Sequence, residues 1–190
     1  PFVGAGALLF YLQPKKAIIN DINKDLINCY IVIRDNLDEL IEDLKKYKNE
    51  EDFYYQVRNL DRMDSFHSKT SVEKASRTIY LNKTCYNGLF RVNSQGFFNA
   101  PYGRYKNPKY VDFDVLRSIQ DYLNSNSVTI LNCDFETAVR DAKKGDFIYF
   151  DPPYHPLSKT SSFTGYGVNG FNEDEQVRLN GVYRELDIRG

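Results

Sequence analysis

Residues 146–154 read Asp-Phe-Ile-Tyr-Phe-Asp-Pro-Pro-Tyr, "DFIYFDPPY", and the way this stretch ends decides the class of fold. Phe147 to Phe150 are aromatic or β-branched and follow the turn "KKGD" at 143–146, a pattern that predicts a core strand. Pro152 and Pro153 cannot donate to a ladder, so the strand stops at Asp151. A carboxylate, a carbonyl flanked by prolines and the aromatic Tyr154 are thereby set at a strand end, where open α/β sheets collect their ligands.

Working outward, similar endings recur. "KAIIND" at 16–21 predicts a short buried strand that finishes at Asn20 and Asp21, and "VTILNCD" at 128–134 predicts another that finishes at Asp134 before Phe135. The Gly-rich turn "PFVGAG" at 1–6 feeds the short helix "ALLFYL", and apolar spacing predicts one long amphipathic helix over 24–47. Helices are expected within 52–85, including "SVEKASRTIYLNKTCY", and Gly, Asn and Pro punctuation over 87–108 predicts a hairpin and loop. A Ser, Thr and Gly-rich loop at 157–170 and a polar helix over 173–184 complete the reading. Strand and helix alternate at both ends around a helical, basic middle. The expected organisation is an α/β sheet domain, 1–51 and 111–190, carrying a lobe over 52–110.

The 190 residues suit one domain or one core with an insert, and 42% apolar content is enough to build it. No apolar run approaches the roughly 18 residues a bilayer span requires, so a soluble, cytoplasmic protein with no membrane partner is expected. Cys29, Cys85 and Cys133 lie far apart and the histidines are His67 and His155, which argues against a disulfide scaffold, a metal site, a Cys nucleophile or His-dependent chemistry. Net charge is −1, yet no Asp or Glu occurs between Lys74 and Val111. That window holds Lys74, Arg77, Lys83, Arg91, Arg104, Lys106 and Lys109, interleaved with aromatics and asparagines. Cations suit phosphates, amides suit base edges, and aromatics suit stacking or wedging between bases.

In nucleotide-binding α/β units a glycine turn lets the backbone approach the ligand, and an acid at the end of the next strand takes the ribose hydroxyls. Gly4, Gly6 and Asp21 fit that spacing, with an ordinary turn and a helix cap as the structural alternatives. Asp134 and Phe135 could hold an exocyclic amine and flank an adenine ring, or simply cap a helix. The Asp151–Tyr154 element carries the sharpest chemistry. An adenine amino nitrogen is a poor nucleophile because its lone pair is delocalised into the ring. A carboxylate at Asp151 and the Pro152 carbonyl, accepting both N–H bonds, would pull that nitrogen toward a tetrahedral shape and free the lone pair, with Pro153 fixing the turn and Tyr154 stacking on the base. A duplex base reaches such a pocket only by rotating out of the stack.

In order, "PFVGAG", "NDIN", "CYNGLFRVN", "FNAPYGRYKNP", "CDFE" and "YFDPPY" give the chain a close similarity to the Dam family of DNA adenine-N6 methyltransferases, including the DpnII-type modification enzymes, with motifs in the α-class order. The resemblance implies a Rossmann-like methyltransferase sheet with an inserted, mostly helical recognition lobe carrying a β-hairpin. It implies S-adenosylmethionine as cofactor, lying over Phe2, Gly4 and Gly6, with Asp21 at the ribose, Asp134 and Phe135 at the adenine, and Asp151 near the methionine portion. Duplex GATC is the implied target. Tyr86 would wedge into the stack beside the flipped base, while Asn87, Leu89 and Arg91 read base edges, Arg91 as the partner of a guanine. Pro101 and Tyr105 match positions on the thymine side and backbone, and Arg104 and Lys106 suit phosphates. For Tyr86 and Leu89 the structural alternative is a place in the lobe's core; for Arg104 and Lys106 it is solvated surface charge. A cognate restriction endonuclease in the same bacterial or phage system is a further implied partner, not physically bound. Against the family pattern, the chain is expected to be truncated before Pro1 and after Gly190, and Ala5 stands where the family often has Gly.

Related motifs also serve cytosine-N4 and RNA methyltransferases, and a DNA-binding fragment without complete catalysis is the reading outside enzymes. Cytosine-C5 methylation is disfavoured, because it needs a cysteine nucleophile and no Pro-Cys pair occurs.

Overall fold

The computed structural model describes residues 1–109, 111–154 and 171–190. Short α1 (Ala7–Leu12) leads into β1 (Lys16–Asn20), which is followed by α2 (Lys24–Asp35), α3 (Leu37–Leu44), α4 (Glu51–Asn59) and α5 (Ser71–Thr84). Next come α6 (Phe113–Ser125), β2 (Ser127–Leu131), α7 (Phe135–Val139) and α8 (Glu173–Arg189). β1 and β2 pair in parallel, from Lys16 opposite Ser127 to Asn20 opposite Leu131. Among the described residues this pair is the sheet, and the molecule is a mixed helix and strand structure.

Local chemistry sets the element ends. Asn23 accepts from the Asp25 and Leu26 backbone N–H groups to start α2, and Asp112, Asp134 and Asn172 cap α6, α7 and α8 in the same way. Thr70 and Glu73 form a reciprocal capping box on α5. The helix expected over 24–47 is two helices. Asn36, at φ −135° and ψ 39°, leaves the helical region and lets Leu37, Leu40 and Leu44 of α3 turn fully inward.

Three apolar clusters follow. The largest joins Val32, Leu37, Leu40, Leu44, Tyr54, Tyr80, Leu81, Cys85 and Ala100, all essentially inaccessible to water. Each large side chain buried this completely contributes about 1.5–3 kcal/mol. A second cluster seals β1 against α2 and α6 through Ile19, Ile27, Tyr30, Tyr122 and Leu123. In the third, Phe135, Val139, Phe171, Leu179 and Val182 gather with Phe2, Ile148 and Phe150.

The core strand expected at 147–150 is corrected. The segment alternates as a strand would, with Ile148 and Phe150 half-buried and Phe147 and Tyr149 exposed, but no neighbouring strand pairs with it among the described residues. Without a ladder partner, period-two patterning fixes the facing of side chains and not a sheet. The expected hairpin takes a reduced form, with antiparallel bridges at Val92–Phe98 and Cys85–Tyr102 and the tight turn between the first pair passing through Gly96 at φ +83°. The loop expected at 157–170 lies outside the described residues. The helix expected over 173–184 continues to Arg189. No helix among the described residues is long and apolar enough to cross a membrane.

Candidate functional site

The carboxyl ends of β1 and β2 come together, and side-chain amides tie them. Buried Asn20 donates through Nδ2 to the Pro1 carbonyl at 2.9 Å and the Cys133 carbonyl at 3.0 Å, while its Oδ1 accepts from the Cys133 N–H at 2.9 Å. Asn132 donates to the Asp21 carbonyl at 2.7 Å. Gly4, Asp21 and Asp134 are set by this rim.

Asp21 is 4% exposed, and both its oxygens accept backbone N–H groups, Oδ2 from Gly4 at 3.1 Å and Oδ1 from Asn23 at 3.0 Å. Asn23, not Asp21, is the helix cap, and the carboxylate of Asp21 instead latches the glycine turn to the strand end. Tyr30 donates to the Gly4 carbonyl at 2.9 Å, completing the latch, and burial pushes its phenol well above the usual tyrosine range. The two glycines differ. A Cβ at Gly6, φ +73°, would sit 2.6 Å from the Tyr30 hydroxyl and 2.7 Å from the Phe10 ring, whereas a Cβ at Gly4, φ +50°, would meet no atom within 4 Å. Packing requires the first glycine, and open space lies beside the second.

Phe2 and Phe135 stand 5.6 Å apart and share an aromatic wall with Phe171. Asp134 caps α7 through the Glu136 N–H at 3.0 Å and pairs closely with Arg178 of α8. The Arg178 guanidinium also lies 4.2 Å from the centre of the Phe135 ring. Arg178 was invisible to spacing arguments because it comes from a helix 44 residues away.

Asp151 is exposed at the end of the 147–150 segment, and the Tyr154 hydroxyl donates to its Oδ1 at 3.4 Å. Tyr154 is 81% exposed. Pro152, Pro153 and Tyr154 line an open groove of about 390 Å³ with Glu173 and Gln176. Gln176 of α8 donates to the Pro153 carbonyl at 2.9 Å, a contact the sequence did not announce. Among the described residues no group donates to the Pro152 carbonyl, and no His, Cys, Asp and Glu cluster could hold a metal ion.

Most of the residues assigned to DNA are exposed, and backbone contacts tie residues 86–87 to residues 101–105. The Tyr86 N–H donates to the Pro101 carbonyl at 2.8 Å, and the Asn87 N–H donates to the Tyr105 hydroxyl at 3.0 Å. Tyr86, Leu89 and Tyr105 are 54%, 39% and 41% exposed, so they are surface and not core. Arg91 is half-buried and donates to the Asn99 carbonyl at 2.8 Å. Arg104 meets Glu51 at 3.1 Å with its side chain largely in solvent, and Lys106 is exposed. Not every residue of the basic and aromatic window faces outward. Arg77 is buried, bonded to the Val57 and Arg58 carbonyls and paired with Asp61 at 2.8 Å, and Tyr80 and Phe98 belong to the core.

The D12 class N6 adenine-specific DNA methyltransferase family matches residues 1–189. Among individual proteins, the type II methyltransferase M1.LlaDCHI of Lactococcus lactis subsp. cremoris is 50% identical over all of this chain and 68% of its own length. The type II methyltransferase M.MjaIII of Methanocaldococcus jannaschii is 48% identical over all of this chain and 69% of its own. A DNA adenine methylase of Haemophilus influenzae is 38% identical over 94% of this chain and 62% of its own. With an exposed carboxylate at Asp151, a proline turn, an exposed tyrosine and a match along its whole length, the chain belongs to the D12 class of N6 adenine-specific DNA methyltransferases.

Proposed function

We propose that the protein methylates the adenine of duplex GATC after rotating that base out of the helix into the groove beside Tyr154. The observation that carries this is the groove itself: Pro152, Pro153 and Tyr154 line it, and the Tyr154 hydroxyl reaches Asp151. S-adenosylmethionine, when bound, supplies an electrophilic methyl group on a sulfonium sulfur and leaves as the thioether. The chain's residues fit it, since open space adjoins Gly4, aromatic rings line one side and the acid Asp134 stands beside them.

Asp151 and the Pro152 carbonyl accept the two N6–H bonds, which raises the nucleophilicity of nitrogen as it attacks the methyl carbon. One N6 proton leaves after attack, first held in the hydrogen bond to the Asp151 carboxylate. Tyr154 stacks on the extruded ring, and Gln176 keeps the proline turn in place through the Pro153 carbonyl. Cofactor contacts fall to Phe2, Gly4, Gly6, Asp21, Asp134, Phe135 and Asp151. Because Asp21 is buried, its ribose contact requires the second lone pairs of oxygens that already hold Gly4 and Asn23.

Residues 1–51 and 111–190 form the Rossmann-like catalytic part and 52–110 the recognition insert. Tyr86 wedges beside the vacated position, Asn87, Leu89 and Arg91 read base edges, Pro101 and Tyr105 meet the thymine side, and Arg104 and Lys106 hold phosphates. Exposure of Tyr86, Leu89 and Tyr105 supports this. A cytoplasmic restriction-modification setting fits the type II names of two relatives.

Asp151→Ala should lower methyl transfer a hundredfold or more, roughly the loss of a key transition-state contact, while DNA affinity stays within about twofold. Transfer that survives the substitution rejects the catalytic assignment. Arg91→Ala should reduce discrimination at one guanine by about 1–3 kcal/mol, and equal loss on every sequence would instead make Arg91 a phosphate contact. Labelled-cofactor transfer to duplexes with and without GATC measures both.

A further inference from the structure

Beneath the exposed recognition surface runs a set of side chains that belong to no expected site. Residues 98–105 are held by their carbonyls. Arg62 donates to Phe98 at 2.9 Å, Tyr54 to Ala100 at 2.9 Å, and Asn49, in the link between α3 and α4, donates through Nδ2 to Tyr105 at 2.8 Å. The other half of the Asn49 amide, Oδ1, accepts from the Tyr102 hydroxyl at 2.7 Å.

The Asn49 contact differs from the others in where it leads. Tyr105 holds Asn87 through its hydroxyl, and Asn87 sits at φ +55°, a left-handed conformation uncommon outside glycine that asparagine adopts in tight turns. Asn49 fixes the Tyr105 backbone, Tyr105 fixes the Asn87 N–H, and the Tyr86 N–H is fixed in turn by Pro101. One amide therefore clamps residues 102 and 105 and, through them, the left-handed turn at 86–88. Neither Ala nor an ionised Asp at position 49 can both accept from the Tyr102 hydroxyl and donate to the Tyr105 carbonyl.

We propose that Asn49 is a specificity-positioning residue: it touches no base, and it sets the conformation of the turn that does. This rests on the reading of residues 86–91 as the base-reading segment. A positioned reader discriminates by geometry, because a bidentate contact displaced by a fraction of an ångström serves right and wrong bases alike. Loss of Asn49 should relax sequence choice more than it slows transfer to the best site.

The test measures kcat/KM for methyl transfer to GATC duplexes and to the set of duplexes that differ from it by one base pair. Asn49→Ala should lower the ratio of cognate to near-cognate kcat/KM about tenfold, a large part of what one wrong base pair costs. The rate on saturating cognate DNA should stay within about threefold. Asn49→Asp keeps the acceptor for Tyr102 and loses the donor to Tyr105, so it should reproduce the relaxed ratio even where the alanine variant is too unstable to assay. Thermal unfolding of both variants supplies the structural control. A lowered midpoint with an unchanged discrimination ratio overturns the proposal, as does an equal fall in kcat/KM on every duplex. If the unsubstituted protein prefers a site other than GATC, the GATC assignment fails while this inference is still scored, as the change in ratio about whichever site it prefers.

Discussion

The helical core around α2 to α5 and the edge around α7 and α8 are built to different standards of closure. Around α2 to α5, Leu37, Leu40, Leu44, Tyr54, Tyr80 and Leu81 are at most 1% exposed, and Arg77, which pairs with Asp61, is buried as well. At the edge around α7 and α8 the apolar residues of the third cluster retain 4–9% exposure, Phe147 and Tyr154 stand about four-fifths in solvent, and Arg178 pairs with Asp134 where water reaches both. The contrast fits the tasks we propose, in which a reader holds its shape before it meets the duplex and a chemical pocket admits an extruded base and a cofactor.

The same residue type in the two regions offers the sharpest way to break that contrast. Arg77→Met should cost about 3–5 kcal/mol in urea unfolding, since it strips the buried guanidinium from the Val57 and Arg58 carbonyls and removes one of three partners of Asp61, which keeps Arg62 and the Phe98 N–H, while Arg178→Met should cost about 1 kcal/mol or less. Equal costs would mean the edge is as closed as the helical core. Next in size, Leu81→Ala should destabilise by about 4 kcal/mol and Leu179→Ala by about 2 kcal/mol, because a fully enclosed site leaves a larger residual cavity than one already open to water. A reversed order would sink the comparison.

The smallest expected effect is one of pH. The Lys69 ammonium, aided by the Thr70 N–H, draws the Glu73 carboxyl down from its ordinary 4.5 to about 2. A carboxyl depressed by folding contributes stability that is present above pH 4.5 and lost as pH falls toward about 2. Unfolding midpoints measured between pH 5 and 2.5 should fall less in Glu73→Gln than in the unsubstituted protein. Identical slopes would show that the capping box does not depend on the charge.

Much of this was legible in the chain. The helices starting near Lys24 and Ser71 were legible from apolar spacing, whereas α6 over Phe113–Ser125 and the caps at Asn23, Thr70 and Asp112 were not read from the sequence. The proline turn at 152–153 announced the groove. What else escaped was long-range. Charge patterning counts Arg77 among the surface cations, yet its guanidinium is spent on carbonyls from α4. Helical periodicity runs straight through Asn36, since Leu37, Leu40 and Leu44 keep the spacing on either side of a backbone break. Arg178 and Gln176 read as ordinary polar residues of a surface helix, because the partners that give them meaning, Asp134 and the Pro153 carbonyl, are set beside them only by the fold.

The amide of Asn20 has one more lesson. It welds the tips of two parallel strands and the incoming chain at Pro1 into a single hub, so the glycine turn and the Asp134 cap move together or not at all. Hydrolysis of that amide to a carboxylate would exchange a donor for an oxyanion facing two carbonyl oxygens. One altered atom would then turn the hub from an adhesive into a wedge.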